Sequence, residues 1–273
     1  MVQKRISNFD IRQIHASGQC FRMEDAGGGR FRILAQDRYL ELTQRGEECE
    51  FSCSSREFDG FWSRYFDLDG DYAGHIASID PEDDYLSGAA RMGSGIRILR
   101  QDLWEMIVTF LISQQNHIAR IRRCVENICR VYGEEKEAMG RRYYAFPTPQ
   151  KLAGAREEEL FACNLGYRSK YVLRTARSVA GGQADLDRIA GLEYPEAREE
   201  LLKLYGVGQK VADCICLFGL HCLEAFPVDT HIRQAMEKHY PEGFPMERYA
   251  GRQGVLQQYI FYRELTEQGR NGL

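Results

Sequence analysis

Lys210 stands where a charged side chain has no obvious place. In LLKLYGVGQKVADCICLFGL (201–220) it follows Gly206 and Gly208 and opens a helix so apolar and cysteine-rich that its natural destination is the core. An ammonium carried there is costly unless something uses it. The spacing predicts a first helix ending at Tyr205, a tight turn through Gly206-Val207-Gly208, and a second helix opening at Gln209. That is a helix-hairpin-helix arrangement. Amide N–H groups at the start of the second helix point outward where the helix dipole also favours an anion, so Gly206 and Gly208 can hold a phosphate. A glycine-rich turn between two packed helices accounts for the same glycines. Further on, PVDTH puts Asp229 at a proline-marked helix start, where its carboxylate is placed to cap the helix. Capping is compatible with chemistry but does not require it.

The elements that must position these residues fall into two kinds. FRMEDAGGGRFRILAQDRYLELTQRGEECEFSC (21–53) alternates apolar and polar residues around the Gly-rich turn AGGGR, which predicts an antiparallel sheet within the first eighty or so residues. From about Arg97 the apolar residues recur at helical spacing. LWEMIVTFLISQQNHIARIRRCVENICRVYG reads as two packed helices with SQQN at their junction, FPTPQKLAGA carries a helix-start signal, and REEELFACNLGYRSKYVLRTARSVAGG reads as two helices broken at NLGYR. The remainder is helical through GRQGVLQQYIFYREL. The expected class is α+β, with an N-terminal antiparallel sheet domain over 1–95 and a larger, all-helical domain over 96–273 that contains the helix-hairpin-helix.

The 273 residues are enough for a core that needs neither disulfides nor a metal. Nine cysteines occur without CxxC pairing and read as reduced thiols, which points to an intracellular protein, cytoplasmic or in the nucleoid or nucleus. No run has the length and apolarity of a signal or membrane segment, so no membrane partner is expected. A net charge of −4 weighs mildly against a nucleic-acid partner, yet RIRRCVENICR and YRSKYVLRTAR are locally basic and a basic face can outweigh the net value.

The turn, lysine, apolar helix and PVD aspartate together strongly resemble the helix-hairpin-helix (HhH-GPD) DNA glycosylase superfamily. The resemblance implies chemistry that fits these residues. Cleaving the bond between a deoxyribose C1′ and its base builds positive charge on the sugar, which Asp229 would stabilise. A neutral Lys210 amine would attack C1′ and form a Schiff base, permitting strand cleavage by elimination. Burial favours the neutral amine and an adjacent carboxylate opposes it. Members for oxidised pyrimidines or mispaired adenine usually hold an iron-sulfur cluster on four cysteines after the aspartate; here the last cysteine is Cys222, so no such cluster is expected. Alkylation-repair members generally lack the lysine.

Three further segments, within a likeness running from about residue 9 to 265, resemble the 8-oxoguanine glycosylases of that superfamily. SGQCFRM (17–23) is similar to SGQ-x-FRW, with Met23 in place of tryptophan. It implies that the Gly18 carbonyl reads N7, an acceptor in guanine and an N–H donor in 8-oxoguanine, a contact worth about 1–3 kcal/mol. In GVLQQYIFY, Gln257 and Phe261 share a helix face; Gln257 would bond the flipped base's pairing edge, and Phe261 and Cys214 would sandwich it. SQQNHIARI (113–121) is similar to the gap-filling SSNNNIARI, with Gln115 and His117 replacing asparagines and Arg120 retained. Tyr167 and Arg168 would be the intercalating tyrosine and a second arginine fork for an orphaned cytosine. His231 would meet a DNA phosphate, and the carbonyls of Leu202, Leu204 and Val207 could hold a monovalent or divalent cation at the hairpin. The implied partner is duplex DNA containing 8-oxoguanine, preferably opposite cytosine, met by a monomer with no organic cofactor. A glycosylase for another oxidised base, or a non-catalytic DNA binder, are the alternative readings.

Overall fold

The structure, a computed structural model, describes the backbone of residues 1–271 and the side chains of residues 1–267. Five strands, β1 (Val2–Arg5), β2 (Met23–Asp25), β3 (Arg30–Ala35), β4 (Arg38–Arg45) and β5 (Glu48–Phe51), form an antiparallel sheet in the order β1-β5-β4-β3-β2. Alternation sets the register. Phe31 lies opposite Leu42, Ile33 opposite Leu40 and Leu42 opposite Phe51, so these side chains share one buried face. The predicted AGGGR turn joins β2 to β3. Helix α1 (Ile11–Ala16), capped by Asp10, packs Ile11 and Ile14 into that face with Trp62, Tyr65 and Phe66.

The strands end earlier than the sequence texture suggests. Between Phe51 and Glu135 the chain is helical or turned, and α2 (Tyr72–Ala77) and α3 (Asp84–Met92) send Tyr72, Leu86, Ala89 and Ala90 into the second, larger core. That core is organised by α4 (Leu103–Ser113), in which every residue from Trp104 to Ile112 is buried. Around it lie α5 (Ile118–Tyr132), a hairpin β6 (Glu135–Ala138) and β7 (Arg141–Tyr144), α6 (Ser169–Ala180), α7 (Tyr194–Leu202), α8 (Gln209–Gly219), α9 (Thr230–His239) and α10 (Gln253–Asn271), with short helical turns between. In α5, Ile121, Cys124, Val125, Ile128 and Cys129 recur at three- and four-residue spacing, and all are buried. The break expected at NLGYR is present, with Asn164 and Gly166 both at positive φ. The helix before the hairpin ends at Leu202, not Tyr205, because the chain tightens early, with Leu204 N–H bonding the Leu201 carbonyl.

A buried polar knot ties sheet to helices. Arg97 donates to the carbonyls of Ser7, Asn8, Asp67 and Gly70 at 2.7–3.3 Å. The Asp67 carboxylate accepts from Tyr72 Oη and Arg100 Nε, both at 2.9 Å, and lies 3.2 Å from His221 Nε2, in the loop that follows α8. Burial pushes this carboxyl up, but His221, Arg100 and Tyr72 together outweigh it and hold it at about 2. A carboxyl depressed in the folded state adds stability above its unfolded value near 4 and loses it as pH falls through 2. Urea unfolding of wild type and Asp67→Asn should therefore differ by about 2 kcal/mol near pH 7, with the gap closing between pH 4 and 2. A pH-independent gap would show that the charge contributes nothing.

Candidate active site

Helix α8 is buried along Val211, Ala212 and Cys214–Phe218, where it packs on α4, and only its first turn reaches the surface. Lys210 lies on that turn. It is half-buried, not sealed in the core as the apolar sequence suggests, and its Nζ stands 5.6 Å from the centre of the Phe110 ring. Asp229 caps α9 as expected, its Oδ1 accepting the Ile232 N–H at 2.9 Å. Cys214, one turn beyond Lys210, is 3 % exposed. Burial pushes its thiol up, Lys210 pulls it back and Asp229 adds to the rise, so both charges bear on this one sulfur.

One cavity of about 40 Å³ is lined by Lys210, Asp229, Cys214, Gly18, Gln257 and Phe261. Residues from opposite ends of the chain thus meet at the start of α8. Phe110, Phe218, Pro227 and Gln258 complete the lining and were not singled out from the sequence. The two phenylalanines read there only as core; the paired glutamines of LQQY were the available signal for Gln258. At this size the cavity is far below the roughly 300 Å³ of a small-ligand pocket, so a purine enters only if side chains move.

Gly18 adopts φ +74°, and a Cβ there would lie 3.0 Å from Phe261 Cε1. Its loop is held by neighbours. Gln19, fully buried, donates to Ser17 Oγ at 2.9 Å and the Arg97 carbonyl at 3.0 Å, and accepts the Leu99 N–H at 2.8 Å. The glutamine of SGQ is therefore the anchor that sets Gly18 against Phe261. Beyond it, Arg22 pairs with Glu105 of α4 at 3.2 Å, both buried. His231 packs edge-on to Phe261 at 5.8 Å, and its Nδ1 is buried with no hydrogen-bond partner among the described residues.

The hairpin glycines differ in kind. Gly206 is at φ +90° with the Tyr171 ring 2.6 Å from where a Cβ would lie, whereas Gly208 has ordinary φ, open space around it and an exposed position at the α8 N-cap. Of the three carbonyls expected at a cation, that of Leu204 accepts the Val207 N–H at 3.1 Å. The loop between α4 and α5 is bound to this hairpin. Gln114 Nε2 donates to the Gly206 carbonyl at 3.1 Å, and its own carbonyl accepts from Tyr167 Oη at 3.3 Å and Arg168 Nε at 2.8 Å.

Arg168 does not stand free as a second cytosine fork. It is 3 % exposed, and its guanidinium is committed to the carbonyls of Gln114, Gln115 and Leu165. The three peptide carbonyls satisfy its buried donors, so in this structure it clamps the loop. Tyr167 stays exposed, with the Arg168 guanidinium 4.4 Å from its ring centre. Arg120 and Gln115 are exposed, Gln115 at φ +47°. Arg120 lines a cavity of about 360 Å³ with His117, Ala119, Arg123 and Asn164.

The family model of HhH-GPD superfamily base excision DNA repair proteins matches residues 108–244, and that of the 8-oxoguanine DNA glycosylase N-terminal domain matches residues 1–107. The chain belongs to the 8-oxoguanine glycosylase branch of the HhH-GPD superfamily. A probable N-glycosylase/DNA lyase of Methanothermobacter thermautotrophicus is 33 % identical over 70 % of this chain and 69 % of its own. Two solved structures of the Clostridium acetobutylicum 8-oxoguanine glycosylase/lyase are similar throughout. The apo form has a TM-score of 0.90 at 37 % identity, covering 95 % of this chain and 94 % of that one. The complex with double-stranded DNA containing cytosine opposite 8-oxoguanine has 0.92 at 35 %, covering 98 % of each. Among the described residues, no helix of this HhH-GPD protein is long and apolar enough to cross a membrane, and no group of three or more His, Cys, Asp or Glu could hold a metal.

The hairpin yields a stability prediction. Gly206→Ala should cost about 1–3 kcal/mol, from left-handed backbone strain and the Tyr171 clash. Gly208→Ala should stay within about 0.5 kcal/mol. Equal denaturation midpoints for the two variants would contradict the division.

Proposed function

We propose that this HhH-GPD protein is a bifunctional glycosylase/lyase that excises 8-oxoguanine from duplex DNA, preferentially opposite cytosine, in base excision repair. The observation that carries it is the meeting of Lys210, Asp229, Gly18, Cys214, Gln257 and Phe261 around one cavity. The full-length likeness to 8-oxoguanine glycosylase/lyases supports the substrate.

The residues divide the reaction between them. The neutral Lys210 amine attacks C1′; the C1′–N9 bond breaks, and the base leaves with the bonding pair and takes a proton. Positive charge on the sugar in that transition state is met by the Asp229 carboxylate, held in place by its cap on α9. Opening of the sugar ring leaves an iminium at C1′. Loss of a C2′ proton then expels the 3′ phosphate by elimination, and water later releases the lysine. Phe261 and Cys214 are the walls for the base, the Gly18 carbonyl reads the N7 proton, and Gln257 meets the pairing edge.

Around that centre, Gly206, Gly208 and His231 face phosphates, with a monovalent or divalent cation on the carbonyls of Leu202, Leu204 and Val207. The carbonyl of Leu204 keeps a lone pair for such an ion. Tyr167 and Gln115 fill the gap and Arg120 reads the opposite base, while Arg168 reaches it only by releasing its carbonyls. The protein acts as a monomer without organic cofactor or iron-sulfur cluster, in the compartment that holds DNA.

Borohydride added to wild type with an 8-oxoguanine:cytosine duplex should trap a covalent adduct, and Lys210→Gln should trap none. An adduct that survives in Lys210→Gln would remove the lysine from this role. Excision opposite cytosine should exceed that opposite adenine by at least tenfold, with equal rates counting against cytosine reading by Arg120.

A further inference from the structure

Two adjacent glutamines of α10 line the cavity, and only the first has been given a task. Gln257 and Gln258 are both 3 % exposed. Their amide orientations are dictated by a third group. The carbonyl of Pro227 can only accept, so the Gln257 amide nitrogen must face it, and it does so at 2.9 Å. Gln257 Oε1 is thereby turned toward Gln258, which must answer with its own nitrogen, 3.1 Å away. Each orientation forces the next. The Gln258 carbonyl is left as the free end of the relay, buried and without a hydrogen-bond partner among the described residues.

A buried carbonyl with no donor destabilises a folded chain unless something supplies one. This one belongs to a side chain lining the cavity that also holds Lys210 and Asp229. With one lone pair of Gln257 Oε1 taken, the pair still offers the second N–H of each amide and the Gln258 carbonyl. The N–H of Gln257 beside the Gln258 carbonyl matches a guanine-type pairing edge, which presents O6 as acceptor next to N1–H and the 2-amino group as donors. Adenine presents the reverse order.

We infer that Gln258 is a further specificity-determining residue: it orients Gln257 through Oε1, and its own carbonyl accepts a hydrogen bond from the pairing edge of the extruded 8-oxoguanine. This rests on the proposed substrate. The Pro227 link also places the relay two residues before Asp229, so base recognition and the sugar-facing carboxylate share one loop.

The test separates base contact from general damage. Gln258→Met keeps the size of the side chain and removes both polar ends. Single-turnover excision of 8-oxoguanine opposite cytosine should fall at least tenfold in this variant. Cleavage of the same duplex carrying a ready-made abasic site uses Lys210 and Asp229 with no base present, and should stay within twofold of wild type. Equal losses on both duplexes, or no loss on either, would overturn the assignment. If Gln258→Met does not fold, Gln258→Leu, which likewise lacks both polar ends, is compared on the same two duplexes and judged by the same outcomes. Wild-type protein that cleaves the abasic duplex yet leaves 8-oxoguanine in place would instead remove the substrate reading on which this role depends.

Discussion

Burial of α8 against α4 is the constraint from which the site follows. Apart from Asp213, which accepts from Tyr194 and Arg198 of α7, the helix is apolar from Val211 to Phe218 and packs inside the protein, so its most accessible end is the first turn, beside the hairpin. A lysine there lies along aromatic core, reaches the surface, and has helix-terminal amides beside it. Had Lys210 stood at the position of Cys214, which is 3 % exposed, its charge would carry a desolvation cost that the first turn avoids. Position on the helix therefore does as much as residue type. The same burial brings Cys214 inward and leaves Phe110 and Phe218, stacked at 5.5 Å, as the floor on which the lysine rests.

A second set of contacts makes the surface of the site behave as one body. Gln114 bridges the loop between α4 and α5 to the hairpin through the Gly206 carbonyl, and Arg168 closes on the carbonyls of Gln114 and Gln115. Tyr171 packs over Gly206, against Tyr205 at 5.5 Å and Tyr167 at 5.7 Å.

Much of this was legible before the fold was known, and the reasons are local. Glycines at a turn, a Pro-Val-Asp cap and apolar spacing of 3.6 are short-range rules, and the hairpin, α8, α9 and the five-stranded sheet follow them. The end of α7 was placed three residues late because a tightening turn and a helix share the same residue preferences. The hairpin of β6 and β7 lies inside the domain read as all-helical, because four-residue strands carry too little alternation to be told from a helix end. Arg168 was read as a free fork because sequence shows a guanidinium but not the carbonyls waiting for it.

Alone, the sequence determined which groups are present and which secondary elements carry them: an amine after a glycine turn, a carboxylate at a cap, a glutamine and a phenylalanine one helical turn apart. Only the tertiary structure decided that Gly18 and Phe261, at opposite ends of the chain, touch across the mouth of α8, that Gln19 is the anchor holding that loop, and that Pro227 dictates how two glutamines face. The division has a physical cause. Backbone dihedrals and periodicity act over a few residues, whereas burial, close approach and the pairing of polar groups depend on which distant surfaces the core brings together.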